Sequence, residues 1–328
     1  MDNKSLRITF TKVSGKNLFY LSQKEEFTLL DRLKVSLSVI DCVKRLHEMN
    51  IVHGDVRPIN IFVNPETLDI KLFNCCIKPV LIKSPKDIKG TPDVNFLSYL
   101  PPEYLDPEKF GGVDEKTDTF QVGVLLYELI SNTMPFNCST LLDCTTHILL
   151  KEPINLADVT DSVSIEFGNA IIKALCKDKK DRITLDTLRS AIEDELNLQE
   201  SAESIHNKCR SIYQLILMGL YSDAKKELDI LLNTNDLDLR FVSNFFHGII
   251  ESFMERHQKA SINFMHAAKS NAALLYILLR KFNITDKNAL MNAALGLRSA
   301  NKNQYAIKIL RKLIDEYGMH PPFVKALA

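Results

Sequence analysis

Apolar residues change their spacing along the chain, and each change predicts an element. Residues 7–22, RITFTKVSGKNLFYLS, carry two β-rich stretches around Ser14-Gly15-Lys16-Asn17, turn chemistry that predicts a hairpin. Leu33, Leu37, Ile40, Val43 and Leu46 then recur at helical spacing up to Met49, predicting an amphipathic helix that ends at Asn50. Two short strands, Ile61–Val63 and Ile70–Phe73, flank Asn64-Pro65-Glu66-Thr67, where the fixed proline dihedral and the asparagine side chain favour a tight turn. Residues 76–117 read as loops. A strongly apolar helix is expected from Asp118 to Ile130, and further helices near 163–176 and 185–197.

A polar stretch, Asn197 to Ser204, predicts a break and sets the expected domains at 1–198 and 199–328. Beyond it the pattern is almost entirely helical and carries an internal repeat around Ala224, Ala260 and Ala306. Gly248 precedes Ala260, and Phe264 and Ala267 follow it. Small, small, aromatic and small residues at these offsets let the two helices of a hairpin approach closely. Ala294, Leu310 and Leu313 repeat the scheme around Ala306. This half resembles tetratricopeptide repeats in degenerate form, with Ile212 where a small residue is usual. The alternative is an unrelated helical bundle with alanines at close crossings. On either reading the segment is a binding or packing module, and the repeats are where protein partners are expected. No titratable cluster there has catalytic spacing, and His247, His257 and His266 read as packed or surface histidines.

Composition narrows the picture. The chain has 328 residues, 45% hydrophobic and 25% charged, and its 41 basic side chains balance 41 acidic ones. It is long enough for two ordinary globular domains, and its zero net charge gives no bulk attraction to nucleic acid or an anionic membrane. Seven cysteines with no C-x-x-C pair, and an opening MDNKSLRITF without a secretory layout, predict reduced thiols and a cytoplasmic location. The longest apolar runs, near Gly123–Leu126 and Ala272–Leu279, are too short to span a membrane.

The informative chemistry lies in Ile51-Val52-His53-Gly54-Asp55-Val56-Arg57-Pro58-Ile59-Asn60, between the first helix and the strand pair. Phosphoryl transfer needs a carboxylate to orient the attacking hydroxyl, a cation near the transferring phosphate and an amide oxygen to help hold magnesium. Asp55, Arg57 and Asn60 supply those three groups. Further strings follow in order: Leu100-Pro101-Pro102-Glu103, Asp118-Thr119-Phe120-Gln121-Val122-Gly123-Val124, and Asp181-Arg182-Ile183-Thr184.

With these strings, residues of roughly 20 to 198 resemble the C-terminal lobe of the eukaryotic-type Ser/Thr protein kinase family. The resemblance implies an α+β, mainly helical fold, with ATP and magnesium as cofactors if the chain is active. It assigns catalytic roles to Asp55 and Arg57 and magnesium or cofactor roles to Asn60 and Asn74. It assigns structural roles to His53, Glu103, Asp118 and Arg182. Glu103 is expected to pair with Arg182, and Asp118 to tie the catalytic-loop backbone to the central helix.

The departures from the family are as telling. No G-x-G-x-x-G occurs, and about 20 residues stand where a full small lobe carries five strands and a helix, so a truncated small lobe is expected. Lys4, Lys12 and Lys16 lack the phosphate-lysine motif. The magnesium-binding D-F-G is replaced by Asn74-Cys75-Cys76, aligned by Ile70-Lys71-Leu72-Phe73. Replacing a carboxylate with a neutral amide weakens a hard-cation site, and Cys75 and Cys76 read as small buried residues. Gly54 replaces an arginine that in many members binds a phosphorylated loop, so Ser84, Thr91, Ser98 and Tyr99 read as ordinary loop hydroxyls. Arg57 for the usual lysine turns a point donor into a fork. Cys138, Cys144 and His147 match no closed metal pattern.

Asp118 to Pro153, with Tyr127-Glu128-Leu129, Met134-Pro135-Phe136 and His147-Ile148, also resembles the kinase-like domain at the N-terminus of large sensor histidine kinases. The apolar end Phe323–Ala328 reads as part of a longer signalling chain. The expectation is a catalytically impaired kinase-like domain joined to helical repeats and acting as scaffold or allosteric regulator. The alternative is an active Ser/Thr protein kinase, with ATP-dependent phosphoryl transfer, whose N-terminal lobe is missing from this sequence, or the N-terminal part of a hybrid sensor histidine kinase.

Overall fold

The computed structural model describes residues 15–76, 94–136, 138–232 and 239–327. Two compact units emerge. The first holds residues up to Thr160 with Phe167–Glu193, and the second holds Asp161–Glu166 with Asp194–Ala328. Both are mainly helical, and the first carries a three-stranded sheet.

In that sheet β1 (Lys16–Asn17) pairs antiparallel with β2 (Ile61–Val63), and β2 with β3 (Ile70–Leu72), placing Ile61 opposite Leu72 and Val63 opposite Ile70. Gly15 has φ +132°, and a Cβ there would stand 2.9 Å from the Val63 carbonyl oxygen. Only glycine lets β1 start this close. The first arm of the expected hairpin lies outside the described residues. Its second arm is a helical turn, Leu18–Leu21, instead of a strand. Asn17 Oδ1 accepts the Phe19 N–H at 3.1 Å, and Leu18 and Leu21, three residues apart, are both buried.

Helix α1 (Leu29–Glu48) begins before its first periodic leucine because Thr28 and Asp31 form a reciprocal capping box. It stops where expected: Asn50 adopts φ 58°, and the Ile51 N–H donates back to the Leu46 carbonyl at 2.9 Å. Part of the expected loop region consists of the helical turns Val94–Ser98, Pro102–Leu105 and Pro107–Phe110. Helix α2 (Glu115–Ser131) starts three residues ahead of Asp118, capped by Asp114, and every residue from Thr117 to Tyr127 is buried. It is the axis of the first unit. Gly123 makes room on it for Ala174 and Leu175, each 3.1 Å from where a Cβ would sit. Helices α3 (Leu141–Leu150) and α4 (Ile165–Ala174) follow.

Glu103, in the turn Pro102–Leu105, meets Arg182 in the interior. Arg182 Nη1 donates to Glu103 Oε1 at 2.7 Å and Nη2 to Oε2 at 3.3 Å, with both side chains fully buried. The remaining guanidinium capacity is also used, on the carbonyls of Cys176, Lys116 and Lys177, while Thr117 donates to Glu103. A buried pair this well supplied with partners is worth keeping only whole, because removing one member strands the other charge.

Cys138 and Cys144 form a disulfide just ahead of and within α3, which corrects the expectation of reduced thiols at this pair. Their Cα atoms are 4.7 Å apart, inside the range a disulfide spans, so spacing in space overrides the absence of a sequence motif. His147 contacts Lys151.

The expected break at 197–204 is absent: helix α5 (Leu185–Lys208) runs straight through it. Ile192, Glu195, Gln199, Ala202, Ile205 and Cys209 form one buried stripe at helical spacing, but two of its members are polar and hide it from hydropathy. Glu195 accepts from the Ser164 N–H and from Gln199 Nε2, which also donates to the Ser162 carbonyl. The segment Asp161–Glu166 thus packs into the second unit by hydrogen bonds.

Among the described residues the rest of this unit is three helical hairpins, α6 (Arg210–Leu217) with α7 (Tyr221–Leu232), α8 (Leu239–Phe253) with α9 (His257–Lys281), and α10 (Lys287–Ser299) with α11 (Asn303–Tyr317), followed by the short helix Pro321–Leu327. Each turn closes alike. Gly219, Glu255 and Asn301 take positive φ, and the next N–H reaches back five residues to a carbonyl at 2.8–2.9 Å. A Cβ on Gly248 would stand 2.8 Å from the Phe264 ring, and one on Gly296 2.7 Å from Phe264 Cβ, so two glycines bracket one aromatic. Helix α9 breaks at Asn271, whose Oδ1 caps the Leu274 N–H at 2.9 Å. His247 bonds within α8, His257 lies beside Asn292, and His266 is exposed.

Two outcomes follow for stability. Arg182→Ala or Glu103→Ala should each lower the stability of the first unit by about 3–5 kcal/mol in chemical denaturation; a loss below about 1 kcal/mol would mean the pair is solvated. Burial raises the Glu195 carboxyl above its ordinary value, and the nearby Glu166 adds to that, outweighing hydrogen bonds from Ser164 and Gln199. The folded state therefore holds this proton more tightly than the unfolded chain. Its contribution is full below the unfolded value and is lost as pH rises through the raised one. The melting-temperature gap between Glu195→Gln and the unmodified protein should widen as pH rises from about 4.5; a constant gap would refute the raised value.

Candidate active site

The segment His53–Asn60 crosses from the end of α1 to β2 and owes its shape to α2. Asp118 is fully buried; its Oδ2 accepts the His53 N–H at 2.9 Å, and its Oδ1 accepts the Gly54 N–H at 2.7 Å. His47 Nε2 lies 2.8 Å from the same Oδ2. One helical step further, Gln121 Oε1 accepts the Val56 N–H at 2.9 Å, and its Nε2 donates to the Gly54 carbonyl at 3.1 Å. Tyr104 OH reaches that carbonyl at 3.3 Å. Gly54 sits at φ 76°, a conformation glycine adopts without cost.

Within this frame the side chains Asp55, Arg57, Asn60 and Asn74 converge. Arg57 Nε donates to Asp55 Oδ1 at 2.8 Å, and its guanidinium stacks on Phe96, 5.4 Å from the ring centre. Asp55 is almost wholly buried, and its N–H donates to His53 Nδ1 at 3.1 Å. Asn60 Nδ2 donates to the Asp55 carbonyl at 2.8 Å, which leaves Oδ1 as its free face. Asn74 Nδ2 donates to that oxygen at 2.8 Å. Asn74 itself has φ 59°, and the Phe73 N–H reaches the Asn60 carbonyl at 2.8 Å.

The chain of donors determines what the Asn60–Asn74 pair can hold. Because the Asp55 carbonyl fixes the Asn60 amide, Asn74 must present its NH2 group to Asn60. A magnesium ion takes oxygen ligands in near-octahedral array and favours carboxylates. Here the pair is neutral, and Asn60 Oδ1 already accepts an N–H. Two neutral amides fit a magnesium ion less well than a carboxylate would. What remains is a carboxylate able to accept a proton or orient a hydroxyl, and beside it a guanidinium able to offset negative charge.

Electrostatics echo the crowding of carboxylates. Burial raises the Tyr104 phenol, and the negative charges of Asp118, Asp55 and Glu103 raise it further. Burial and the neighbouring Cys76 push the Cys75 thiol up to about 12.

All eight residues singled out by sequence lie in the first unit: Asp55, Arg57, Asn60 and Asn74 in one cluster, His53 and Asp118 behind it, Glu103 and Arg182 in the buried pair. Sequence reasoning passed over Gln121 and His47. Gln121 carried a signal, a polar residue amid the apolar run from Phe120 to Leu126, one turn from Asp118 and hence on the same face. His47 carried none beyond its place near a helix end.

Asp118→Ala should leave two buried N–H groups without an acceptor and cost several kcal/mol, with faster amide exchange at residues 53–56; Asp118→Asn, which keeps one acceptor oxygen, should cost about 1.5–3 kcal/mol. Equal exchange in Asp118→Ala and the unmodified protein would show that the loop does not hang on this carboxylate.

Comparison with known proteins agrees with this arrangement. The chain is 26% identical over 191 residues to serine/threonine-protein kinase pkn3 of Myxococcus xanthus, covering 55% of this chain and 34% of that protein. It is 29% identical over 156 residues to serine/threonine-protein kinase Pkn1 of the same organism, covering 46% and 22%. Calcium-dependent protein kinase 4 of Plasmodium berghei is 31% identical over 144 residues, covering 42% and 26%. The chain spans about a third or less of the length of these curated relatives. Members of the family generally use ATP and magnesium. The sequence profile of the protein kinase domain matches residues 1–193, more than half of the 328, and takes in both the anchored loop and the buried Glu103–Arg182 pair; the chain belongs to the protein kinase family.

Proposed function

We propose that the kinase-type unit of this chain is a catalytically impaired signalling module, a pseudokinase acting as scaffold or allosteric regulator. The Asn60–Asn74 hydrogen bond carries this reading, since it joins two neutral amides where the family holds its metal. Groups that keep the shape, Glu103, Asp118 and Arg182, are retained and fully partnered, while no G-x-G-x-x-G occurs in the 328 residues. Protein partners are proposed to bind the helical unit, whose hairpins share one turn closure in the manner of tetratricopeptide-like repeats. The finer assignment to the kinase-like part of a hybrid sensor histidine kinase rests on the 118–153 strings alone.

The second reading, an active Ser/Thr protein kinase, is favoured by one observation: Asp55 and Arg57 are both present and paired at 2.8 Å. In that reading Asp55 orients the attacking hydroxyl and Arg57 offsets phosphate charge.

Melting of the purified chain with ATP, in magnesium and in EDTA, separates the two. A ligand at ten times its Kd adds about 1.4 kcal/mol of stability, a shift of several degrees. No magnesium-dependent shift is expected in the unmodified chain. A shift that strengthens in Asn74→Asp, together with phosphate transfer lost in Asp55→Ala, would establish the enzyme instead.

A further inference from the structure

Cys75 and Cys76 lie beside the site, and the candidate chemistry uses neither. Both are half-exposed, and their sulfurs are 3.4 Å apart. Cys76 also grips the loop behind Asp55: its thiol donates to the Val52 carbonyl at 3.3 Å and its N–H to the His53 carbonyl at 3.0 Å.

The geometry selects among the things two thiols can do. Neighbouring Cα atoms stand about 3.8 Å apart, short of the roughly 4.4–6.8 Å a disulfide spans, so the pair is poorly built to bond to itself. Zinc requires four ligands, and among the described residues no group of three or more His, Cys, Asp or Glu side chains is placed to hold a metal ion. A linear two-coordinate ion such as mercury(II) would splay the sulfurs apart. A tetrahedral centre about 2.3 Å from each sulfur would hold them about 3.8 Å apart. A pyramidal trivalent arsenic centre has narrower bond angles and draws them closer, toward the observed separation. When it carries one organic group it needs only two sulfurs.

We propose that Cys75 and Cys76 form a two-thiol site for monosubstituted trivalent arsenic compounds, and that capture there loosens the His53–Asn60 loop. The step balances without an oxidant. Two S–H bonds break, two As–S bonds form, the oxygen of R–As=O leaves as water with both thiol protons, and arsenic stays trivalent. Consuming the Cys76 S–H removes its hydrogen bond to Val52, leaving the Cys76 N–H as that residue's tie to the loop. The site is independent of whether the chain transfers phosphate.

The test treats the full chain with phenylarsine oxide, washes it with excess glutathione, and weighs it by intact mass spectrometry. One phenylarsenic group should survive the monothiol wash, leave with a dithiol, and map to the peptide containing Cys75 and Cys76. Cys75→Ser and Cys76→Ser should each lower retention at least tenfold, while the Cys138→Ser/Cys144→Ser double variant should keep it. Amide exchange across residues 52–60 should rise severalfold in the adduct. The site is overturned by no retention, by retention that survives Cys75→Ser/Cys76→Ser, or by an adduct mapping to Cys138 and Cys144. The loop coupling is overturned by unchanged exchange in a confirmed adduct. Peptide mapping of the unmodified protein keeps the assignment testable if a serine variant fails to fold.

Discussion

A single carboxylate holds the first unit's chemistry in place. Asp118 has no access to solvent and yet carries its acceptors to two successive N–H groups of the loop that bears Asp55. A buried anion without such partners would cost far more than the fold could sustain. The loop therefore bends around α2 so that both oxygens are met. Gln121 repeats the device one turn on, and Gly54 supplies the positive φ that the bend demands. Asp55, Arg57 and Asn60 are where they are because the backbone beneath them has few other ways to satisfy its polar groups.

The same reasoning explains how two neutral amides close up beside Asp55. The amide of Asn74 fills the place with a donor, and Asn60, pinned by the Asp55 carbonyl, has its remaining oxygen ready to accept. Glu103 and Arg182 show the other regime, a buried charged pair in which every guanidinium nitrogen donates and both carboxylate oxygens accept. Shape in this unit depends on satisfied hydrogen bonds, and chemistry on which atoms satisfy them.

The second unit is built on close approach. Gly248 admits the Phe264 ring and Gly296 the Phe264 Cβ and the backbone of Ser261 and Met265 where any side chain would collide, and Ala260, Ala267, Ala294 and Ala306 are fully buried. The positive-φ residues that end successive helices turn the chain back within three or four residues. Small residues and sharp turns are readable in one dimension, which is why the helical, closely packed character of this half was expected without coordinates.

What the sequence by itself determined is the set of local rules: the end of α1 at Asn50, the strand pair around Asn64-Pro65, the buried axis of α2, and the residues with chemistry to offer. Each depends on near neighbours, on periodicity, a cap or a turn residue. Tertiary structure alone decided the rest. It held Asn17, which caps the helical turn 18–21, on the Ile59 carbonyl 42 residues away, and it carried α5 through a polar stretch by giving Glu195 and Gln199 partners in Ser162 and Ser164. It joined Cys138 to Cys144, set the sulfurs of Cys75 and Cys76 side by side at the surface, and locked Asn74 to Asn60. For Asn17, Glu195, Gln199 and Asn74 the outcome turns on whether a polar group finds its partner, and a partner many residues away is settled only when the chain has folded back on itself.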